Sequence, residues 1–263
     1  GTVVMPGAAF VSILAFVAIG SFPSSRFVSL ENVEITSPLS ITQNLPTVQI
    51  LRSFDESGYR FQLFSTTNPE SSWTQHCSCI ASELSSENVT TLPEWDNSQD
   101  SLFDPASYTK LDSLGLKLGD SFRWLLDAYK FNDTVFAKLK APTKYVGLLD
   151  FPPGLIDSAF QAIGFHGLDE SDLYIPFGIR TFTVNRHASL TEDLICSCSL
   201  IERDSNGIIE SDITLFNAVG KPIIEMKGVC YKVGALSQLN SAREPTFRVE
   251  WIKVNDHSYL SES

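Results

Sequence analysis

Residues 1–25 read GTVVMPGAAFVSILAFVAIGSFPSS and contain no charged side chain; the first charge in the chain is Arg26. The stretch is long enough for a membrane span, which needs about 20 mostly apolar residues, but it lacks the basic residues that begin a signal peptide. Pro6 and Gly7 are typical of a helix entry, because proline is tolerated in the first turn. We predict a helix over about Gly7–Ile19, apolar on every face and buried by other elements; a membrane or export segment is the alternative.

The rest of the chain predicts short strands. Runs in which β-branched and aromatic residues nearly alternate with polar ones indicate half-buried strands, and they lie at residues 26–41, 47–54, 59–66, 72–84, 121–129, 135–140, 175–185, 190–203, 207–217 and 222–233. A second helix is predicted over about Pro153–Phe165. The polar, acidic stretch Glu87–Asp104 is interpreted as a linker, and Asn206-Gly207 predicts a hairpin.

The order of these elements occurs twice. GAAF at 7–10 parallels DSAF at 157–160, 72 positions separate Gly7 from Cys79, and 73 separate Asp157 from Cys230. A long buried helix wrapped by a curved antiparallel sheet, repeated in tandem, predicts an α+β fold of the double hotdog type; chance similarity is the alternative. The predicted domains are a first half at 1–95, a linker at 96–106, a second half at 107–236 and a terminal linker at 237–263.

The two halves differ at their beginnings. Two predicted strands precede the second helix within residues 107–156, whereas six residues precede Gly7. We therefore expect the opening strands of the first half to come from another chain or from a longer parent chain.

The composition narrows the classes of function. With 19 basic and 31 acidic residues the formal net charge is −12, so a general nucleic-acid binder, which needs a basic surface, is not expected. A hydrophobic share of 43% and a charged share of 19% favour a packed domain over disorder. Five cysteines, an odd number in a long chain, favour a reducing, cytoplasmic compartment over a disulfide scaffold.

The cysteines also raise the question of a metal site. Cys77/Cys79 and Cys196/Cys198 form two Cys-x-Cys pairs. On a strand this spacing directs both thiols to one face, whereas zinc sites usually take Cys-x-x-Cys from a turn. We predict that the thiols pack as small apolar side chains and that the chain holds no metal.

Four stretches share their order and spacing with one known family. They are GTVVMP at 1–6, LGLKLGDSF at 114–122, PPGLIDSAFQ at 152–161 and FRVEWIK at 247–253. The first resembles the end of the HxxxGxxxxP motif of the dehydratase domains of modular polyketide synthases, the second their GxxYGPxF motif and the third their HPxLLDxxxQ motif. The fourth is similar to the linker that follows such domains. Leu118, Asp120 and Pro152 stand where the motifs have Tyr, Pro and His.

The resemblance implies a hydro-lyase. Its substrate would be a β-hydroxyacyl thioester on the phosphopantetheine arm of an acyl carrier protein, its product an α,β-unsaturated acyl chain, and it would need no other cofactor. The resemblance implies neighbouring synthase domains as further partners and leaves a homodimer open. The catalytic pair would be Asp157 and a histidine four positions before Gly1, because none of the four histidines of the sequence occupies that motif position. We therefore expect this chain alone not to carry the whole pair.

Asp157 suits the role of proton donor. Elimination of water needs a base for the proton beside the carbonyl and an acid for the leaving hydroxyl. Leu155, Ile156 and Phe160 are neighbours of Asp157, and an apolar environment favours the protonated carboxyl. Gln161, one helical turn later, would hold that carboxyl or the leaving oxygen. The alternative is that Asp157 complements the dipole at the start of the second helix.

Further residues are predicted to contact the substrate. Gly7 follows Pro6 at the start of the first helix, where free N–H groups could hold the thioester carbonyl oxygen; the alternative is that both residues only shape the entry turn. The resemblance implies that residues of its second and third motifs line the pocket, namely Leu118, Gly119, Phe122 and Pro153. With leucine at position 118, the hydroxyl of the motif's Tyr is absent from that position.

Charge is distributed unevenly along the chain. Residues 110–144 carry seven basic and four acidic side chains, a net charge of +3 within an acidic chain. Because carrier proteins are usually acidic, this segment is a candidate docking surface; solvated lysines without a docking role are the alternative.

Two other functions stay open. A relative of the same fold that shifts a double bond or forms a pyran ring would be consistent with the departures at Leu118 and Pro152. A catalytically inactive double hotdog, which binds an acyl chain or organises the assembly, is the third hypothesis. Asp157 favours dehydration, because a double-bond shift could proceed without that carboxyl.

Overall fold

The computed structural model describes residues 3–56, 58–68, 70, 72–84, 90–95, 100–143, 151–169, 172–187, 190, 193–205 and 207–234. Its helices are α1 (Gly7–Ser21), α2 (Ala106–Ser113) and α3 (Pro153–Gln161). Its strands are β1 (Val3–Met5), β2 (Phe27–Ile35), β3 (Leu39–Ile41), β4 (Thr47–Asp55), β5 (Gly58–Thr66), β6 (Thr74–Leu84), β7 (Leu125–Phe131), β8 (Thr134–Lys140), β9 (Tyr174–Asn185), β10 (Asp193–Arg203), β11 (Ile209–Asn217) and β12 (Pro222–Val233).

One antiparallel sheet of ten strands carries the fold, in the order β4-β5-β6-β2-β9-β12-β11-β10-β8-β7. Strands β2 and β9 pair at its centre, for example Leu30 with Phe182, so each half of the chain supplies one side of the sheet. Helix α1 packs on β2, β5 and β6 of its own half and on α3 of the other half. Strands β1 and β3 form a separate pair. The architecture is the predicted α+β double hotdog.

Helix α1 extends two residues beyond the predicted end and begins after Pro6, whose extended backbone (φ −68°, ψ 152°) is typical of a helix entry. As predicted, other elements bury the helix, over nine of its fifteen residues, but they do not cover every face. Phe16 is 64% exposed, and Ile13 and Val17 are only partly buried, because the sheet of the first half covers one side of the helix. Within the described ranges, no helix has the length and apolar character needed to cross a bilayer.

The two buried helices begin in the same way. Pro152, before α3, has φ −65° and ψ 143°, close to the values of Pro6. Counting from these prolines aligns Val11 with Asp157, so the predicted pairing of GAAF with DSAF is displaced by four residues, about one helical turn. The α-helix also ends earlier than predicted, since residues 162–166 continue as a 3₁₀ segment.

The structure differs from the predicted elements at several other positions. Helix α2 was not predicted, and the strand expected over residues 121–129 starts only at Leu125, after a 3₁₀ turn at Asp120–Phe122. The strand expected over 26–41 is divided into β2 and β3. Asn206 of the hairpin signal, Gly1 of the first motif, FRVEWIK and the terminal linker at 237–263 lie outside the described residues. The domain boundaries stay a prediction.

The cysteine pairs lie in the core. Cys77, Cys79, Cys196 and Cys198 are buried with free thiols, which confirms that they pack as small apolar side chains. Burial raises the pKa of each of these thiols, so all four remain protonated at neutral pH. Among the residues with described positions, no cluster of three or more His, Cys, Asp or Glu side chains is arranged to hold a metal ion.

Candidate active site

A cavity of about 810 Å³ lies where the first turn of α1 approaches the residues of α3. Most of its wall comes from the entry to α1, the segment between residues 102 and 125, helix α3 with the 3₁₀ segment after it, and the start of β9; the end of β2 with the residues after it, and Lys232 of β12, complete it. The lining surface is mainly apolar, and Asp157 and Gln161 are among the polar side chains that border it. A largely apolar cavity with placed polar groups is typical of a small-molecule site.

Asp157 lies on α3 with its carboxyl at the cavity. Burial raises its pKa from 3.8 to about 6, and a hydrogen bond from Gln161 opposes part of that shift. The Gln161 Nε2 atom lies 2.8 Å from Asp157 Oδ2, across the predicted spacing of one helical turn. A carboxyl with this pKa is partly protonated near neutral pH, so it can donate a proton as well as accept one.

Gln161 is itself held in one orientation. Its Nε2 also donates to the Phe122 carbonyl oxygen at 3.0 Å, and the Ser158 hydroxyl lies 3.4 Å from the same carbonyl. Since the Asp157 carboxyl and the Phe122 carbonyl both accept hydrogen bonds, the nitrogen of the amide faces them and the Gln161 Oε1 atom faces away. That oxygen is buried without a hydrogen-bond partner in the part of the chain that the structure describes.

We name the segment Leu102–Phe122, which includes α2 and forms one wall of the cavity, the strap. At its first end the Leu102 amide donates to the Ala128 carbonyl at 2.7 Å. Near its second end the Trp124 indole N–H donates to the Ser121 carbonyl at 2.8 Å, directly beside Gly154 of α3. A Cβ at Gly154 would overlap that carbonyl oxygen, so the absence of a side chain allows the strap to approach α3 and Phe122 to reach Gln161.

Comparison with protein-family models shows the family of this chain. Residues 88–237 match the family model described as the polyketide synthase dehydratase N-terminal domain. The match covers more than half of the chain and includes the strap from its start, α3 and Asp157. The chain belongs to the polyketide synthase dehydratase family.

Solved dehydratase structures share the fold of this family member. The dehydratase domain from the CurJ module of the curacin polyketide synthase has a TM-score of 0.79 at 23% identity, over 91% of this chain and 86% of that one. The CurF dehydratase of the same synthase gives 0.78 at 22% identity, over 89% and 86%. The dehydratase domain of RzxB from Pseudomonas fluorescens gives 0.75 at 17% identity, over 87% and 86%. A search of curated protein sequences gave no match.

Most of the residues predicted to contact substrate do line the cavity of this dehydratase-family chain, namely Pro6, Gly7, Leu118, Gly119, Phe122, Asp157 and Gln161. Pro153 is not among the residues that line this cavity, and its contact with substrate stays a prediction. It occupies the first turn of α3, where its fixed φ starts the helix.

The N–H groups in the first turn of α1 are not all hydrogen-bonded within the helix. The Ala9 amide donates to the Pro6 carbonyl at 2.9 Å, and Ala8 is fully buried, which leaves the Gly7 amide as the candidate for binding an oxygen atom. Gly7 itself borders the cavity. A Cβ there would lie 2.8 Å from the flexible end of Ile35, so Gly7 also permits close packing of the entry turn.

The histidines of the described ranges stand apart from the cavity lining. His76 is buried, with Nε2 2.7 Å from the Ser65 hydroxyl and Nδ1 3.1 Å from the Ser37 carbonyl. His166 Nε2 lies 3.0 Å from the Cys198 carbonyl. Burial lowers the pKa of both rings, so both are neutral side chains with structural hydrogen bonds.

Sequence reasoning missed the contribution of α2. Its residues Tyr108, Lys110 and Leu111 all line the cavity. The available signal was Asp104-Pro105, because the Asp104 carboxylate accepts a hydrogen bond from the Ala106 amide at 2.9 Å and thus starts the helix. The sequence instead predicts both residues to be part of the linker at 96–106.

Proposed function

We propose that this chain supplies the acid for the removal of water from a β-hydroxyacyl thioester, a reaction that forms an α,β-unsaturated acyl chain. The observation that carries the proposal is the Asp157 carboxyl, with a pKa of about 6, held by Gln161 at the wall of a largely apolar cavity. Membership of the dehydratase family supports the same reaction. The proposal needs no cofactor beyond the arm that carries the substrate.

The reaction balances with one acid and one base. The base removes a proton from the carbon beside the thioester carbonyl, and that C–H electron pair becomes the new double bond. The carbon–oxygen bond to the β-hydroxyl breaks with both electrons on oxygen, and the Asp157 carboxyl supplies the proton that completes the departing water. The base passes its proton back to the Asp157 carboxylate before the next cycle. The histidine that the family motif places four positions before Gly1 is the base in this proposal.

Two features of the cavity assist these reaction steps. The amide of Gly7 at the start of α1 is suited to bind the thioester carbonyl oxygen as negative charge develops on it during proton removal. The apolar walls hold the acyl chain and exclude water, which keeps the carboxyl of Asp157 protonated until it donates.

The proposed partner is an acyl carrier protein within a modular synthase. Of the basic segment 110–144, Lys110 and Lys117 lie at the cavity wall. Lys130 instead donates to the His166 carbonyl at 3.1 Å, and Lys138 lies over the Tyr129 ring. Lys144 lies outside the described residues. We assign carrier docking to the surface around Lys110 and Lys117 because both border the cavity, where an acidic partner would bring its arm.

The test is the mass and structure of the product. Purified full-length protein is incubated with a 3-hydroxyacyl chain on a carrier protein and, separately, on pantetheine. We expect the product to lose the mass of one water and to carry a double bond next to the thioester, with faster turnover of the carrier-bound form. A product of unchanged mass, a ring ether, or bound but unreacted substrate would contradict the proposal, and these would favour an isomerase, a cyclase or a non-catalytic role respectively.

A further inference from the structure

The small sheet of β1 and β3 borders the cavity but does not belong to the ten-stranded sheet. All three residues of β1 line the cavity, and the strand leads directly into Pro6 and the Gly7 amide at the start of α1. β3 holds β1 by antiparallel pairing, for example of Leu39 with Met5. The position of this part of the wall therefore depends on what fixes β3 to the rest of the protein.

We call Thr36–Pro38, which joins β2 to β3 and lines the cavity, the connector. It lies just beyond the end of the main-chain ladder between β2 and β6. The Thr36 amide donates to the His76 carbonyl at 2.9 Å, and the Thr36 hydroxyl donates to the Gln75 carbonyl at 3.0 Å. The Ser37 carbonyl lies 3.1 Å from Nδ1 of His76. The imidazole thus extends the attachment of the connector one residue further toward β3.

Three elements meet at the His76 ring. Besides the connector, the Ser65 hydroxyl of β5 lies 2.7 Å from Nε2. Phe10 of α1 stacks on the ring, with the ring centres 5.7 Å apart and the planes 16° apart. Phe10 and the connector line the cavity, whereas His76 is 2% exposed and does not line it. The ring therefore supports the wall from behind.

The two nitrogens of the ring have different roles. The Ser37 carbonyl can only accept, so Nδ1 of His76 carries the hydrogen. Burial lowers the pKa of the ring and keeps it neutral, so Nε2 accepts from the Ser65 hydroxyl. One edge of the ring donates, the other accepts and one face stacks, so the ring is held in a single orientation before any ligand arrives.

We propose that His76 is a positioning residue of the active site, which holds the connector in place and thereby sets the position of the β1–β3 pair and of the Gly7 amide. The inference rests on the proposed function, in which that amide binds the thioester carbonyl. His76 does not touch the substrate and acts through the main chain of the connector. Because a displacement of about 1 Å can cost about 100-fold in rate, loss of this support should lower the rate of the reaction as well as the stability of the protein.

Three variants of the full-length protein separate the hydrogen bonds of His76 from general stability. His76→Phe keeps an aromatic ring but cannot donate to the Ser37 carbonyl. His76→Asn is the conservative variant, because its amide N–H lies close to the place of Nδ1. Asn217→Ala is the matched control. The buried Asn217 side chain also holds a turn, by accepting from the amides of Val219 and Lys221, and it lies outside the cavity lining.

Hydrogen exchange followed by mass spectrometry reports on the wall directly. We expect the amides of β1 and β3 to exchange about tenfold faster in His76→Phe, to recover most of their protection in His76→Asn, and to keep wild-type protection in Asn217→Ala. If His76→Phe does not fold, Ser65→Ala replaces it, with about threefold faster exchange expected because only the partner of Nε2 is lost. Wild-type protection of β1 and β3 in the variant that folds would overturn the inference.

Turnover of a 3-hydroxyacyl thioester is measured at a temperature at which every variant is folded. We expect kcat to fall about tenfold in His76→Phe and to return to within about threefold of wild type in His76→Asn. Asn217→Ala should lower the melting temperature but keep the wild-type kcat. A kcat of His76→Phe within twofold of wild type, or no recovery in His76→Asn, would leave His76 with a structural role alone and overturn the inference.

Exchange and binding separate this inference from the proposed function. If the wild-type protein does not dehydrate the substrate, the proposed function fails, and the exchange of β1 and β3 still tests the support by His76. Binding of an unreactive 3-hydroxyacyl amide then replaces turnover, and His76→Phe should bind it about fivefold more weakly than wild type and Asn217→Ala. Dehydration by wild type together with unchanged exchange in His76→Phe would overturn the inference and leave the proposed function standing.

Discussion

Helices α1 and α3 occupy corresponding places in the two halves, and both begin after a proline of extended conformation. Helix α1 has fifteen residues without a charged side chain, whereas the nine residues of α3 include Asp157 and Gln161. Counted from the prolines, Val11 and Ala15 of α1 correspond to these two residues, and both are fully buried. The repeated fold therefore needs the helix in both halves, but only the second copy carries an acidic and an amide side chain at these two positions.

The strap accounts for this difference. In the second half the strap approaches α3 beside Gly154, and its Phe122 carbonyl holds Gln161. The corresponding face of α1 is covered by apolar side chains of the core, including Phe61 and Leu63 of β5. A carboxyl is tolerated on α3 because the cavity and Gln161 receive it, and α1 has neither at that position.

The largest expected effect comes from placing an acidic side chain at the corresponding position of the other helix. Val11→Asp would bury a carboxyl without a partner in α1, and we expect a loss of about 4 kcal/mol or more in the free energy of unfolding. Phe16→Asp, on the exposed face of the same helix, is the control and should cost about 1 kcal/mol or less. Urea denaturation measures both. Equal costs would show that the two faces of α1 are not distinguished by burial.

Removal of the acidic side chain from α3, by Asp157→Asn, should stabilise the protein. The folded-state pKa of Asp157, about 6, lies above the value of 3.8 for a free carboxyl, so the folded state binds more protons between these values and stability falls as pH rises through that interval. Asp157→Asn removes this loss. We expect the variant to match wild type near pH 3.5 and to exceed it by up to about 3 kcal/mol at pH 7.5. A difference that does not vary with pH would contradict the raised pKa.

The smallest expected effect compares one glycine in each helix. Gly154→Ala places a methyl group against the Ser121 carbonyl and should cost about 1–3 kcal/mol in stability and lower the rate, because Phe122 withdraws from Gln161. Gly20→Ala in α1 meets no atom within 4 Å and should stabilise by about 0.5–1 kcal/mol. Thermal melts and turnover assays of both variants measure this contrast. A neutral Gly154→Ala would show that the strap is not positioned by this approach.

The sequence predicted the parts of the fold that depend on local pattern. The apolar run of α1 and the alternating runs of the strands identified the double hotdog, and the spacing of Asp157 and Gln161 identified the pair that the structure joins at 2.8 Å. The exposed face of α1 was not predictable, because whether a uniformly apolar helix is fully covered depends on its tertiary neighbours.

The rest of the site depends on contacts between distant residues. The Phe122 carbonyl reaches Gln161 across 39 positions, and backbone carbonyls leave no signature in a residue pattern. Tyr108 lies on α2, whose mixed polar sequence ASYTKLDS lacks a clear apolar stripe, so the sequence predicts neither the helix nor its place in the cavity wall. The motif assigns Pro153 to the pocket, and the structure places it at the first position of α3.

The most direct test of the central claim, that α3 carries the acid of this site, is the rate of dehydration by Asp157→Asn in the full-length protein. Asp127→Asn on β7, outside the cavity lining, is the matched control. Under single-turnover conditions on a 3-hydroxyacyl thioester, we predict that Asp157→Asn is about 10²- to 10⁴-fold slower than wild type while binding the substrate, and that the control keeps the wild-type rate. Dehydration by Asp157→Asn at the wild-type rate would contradict the account.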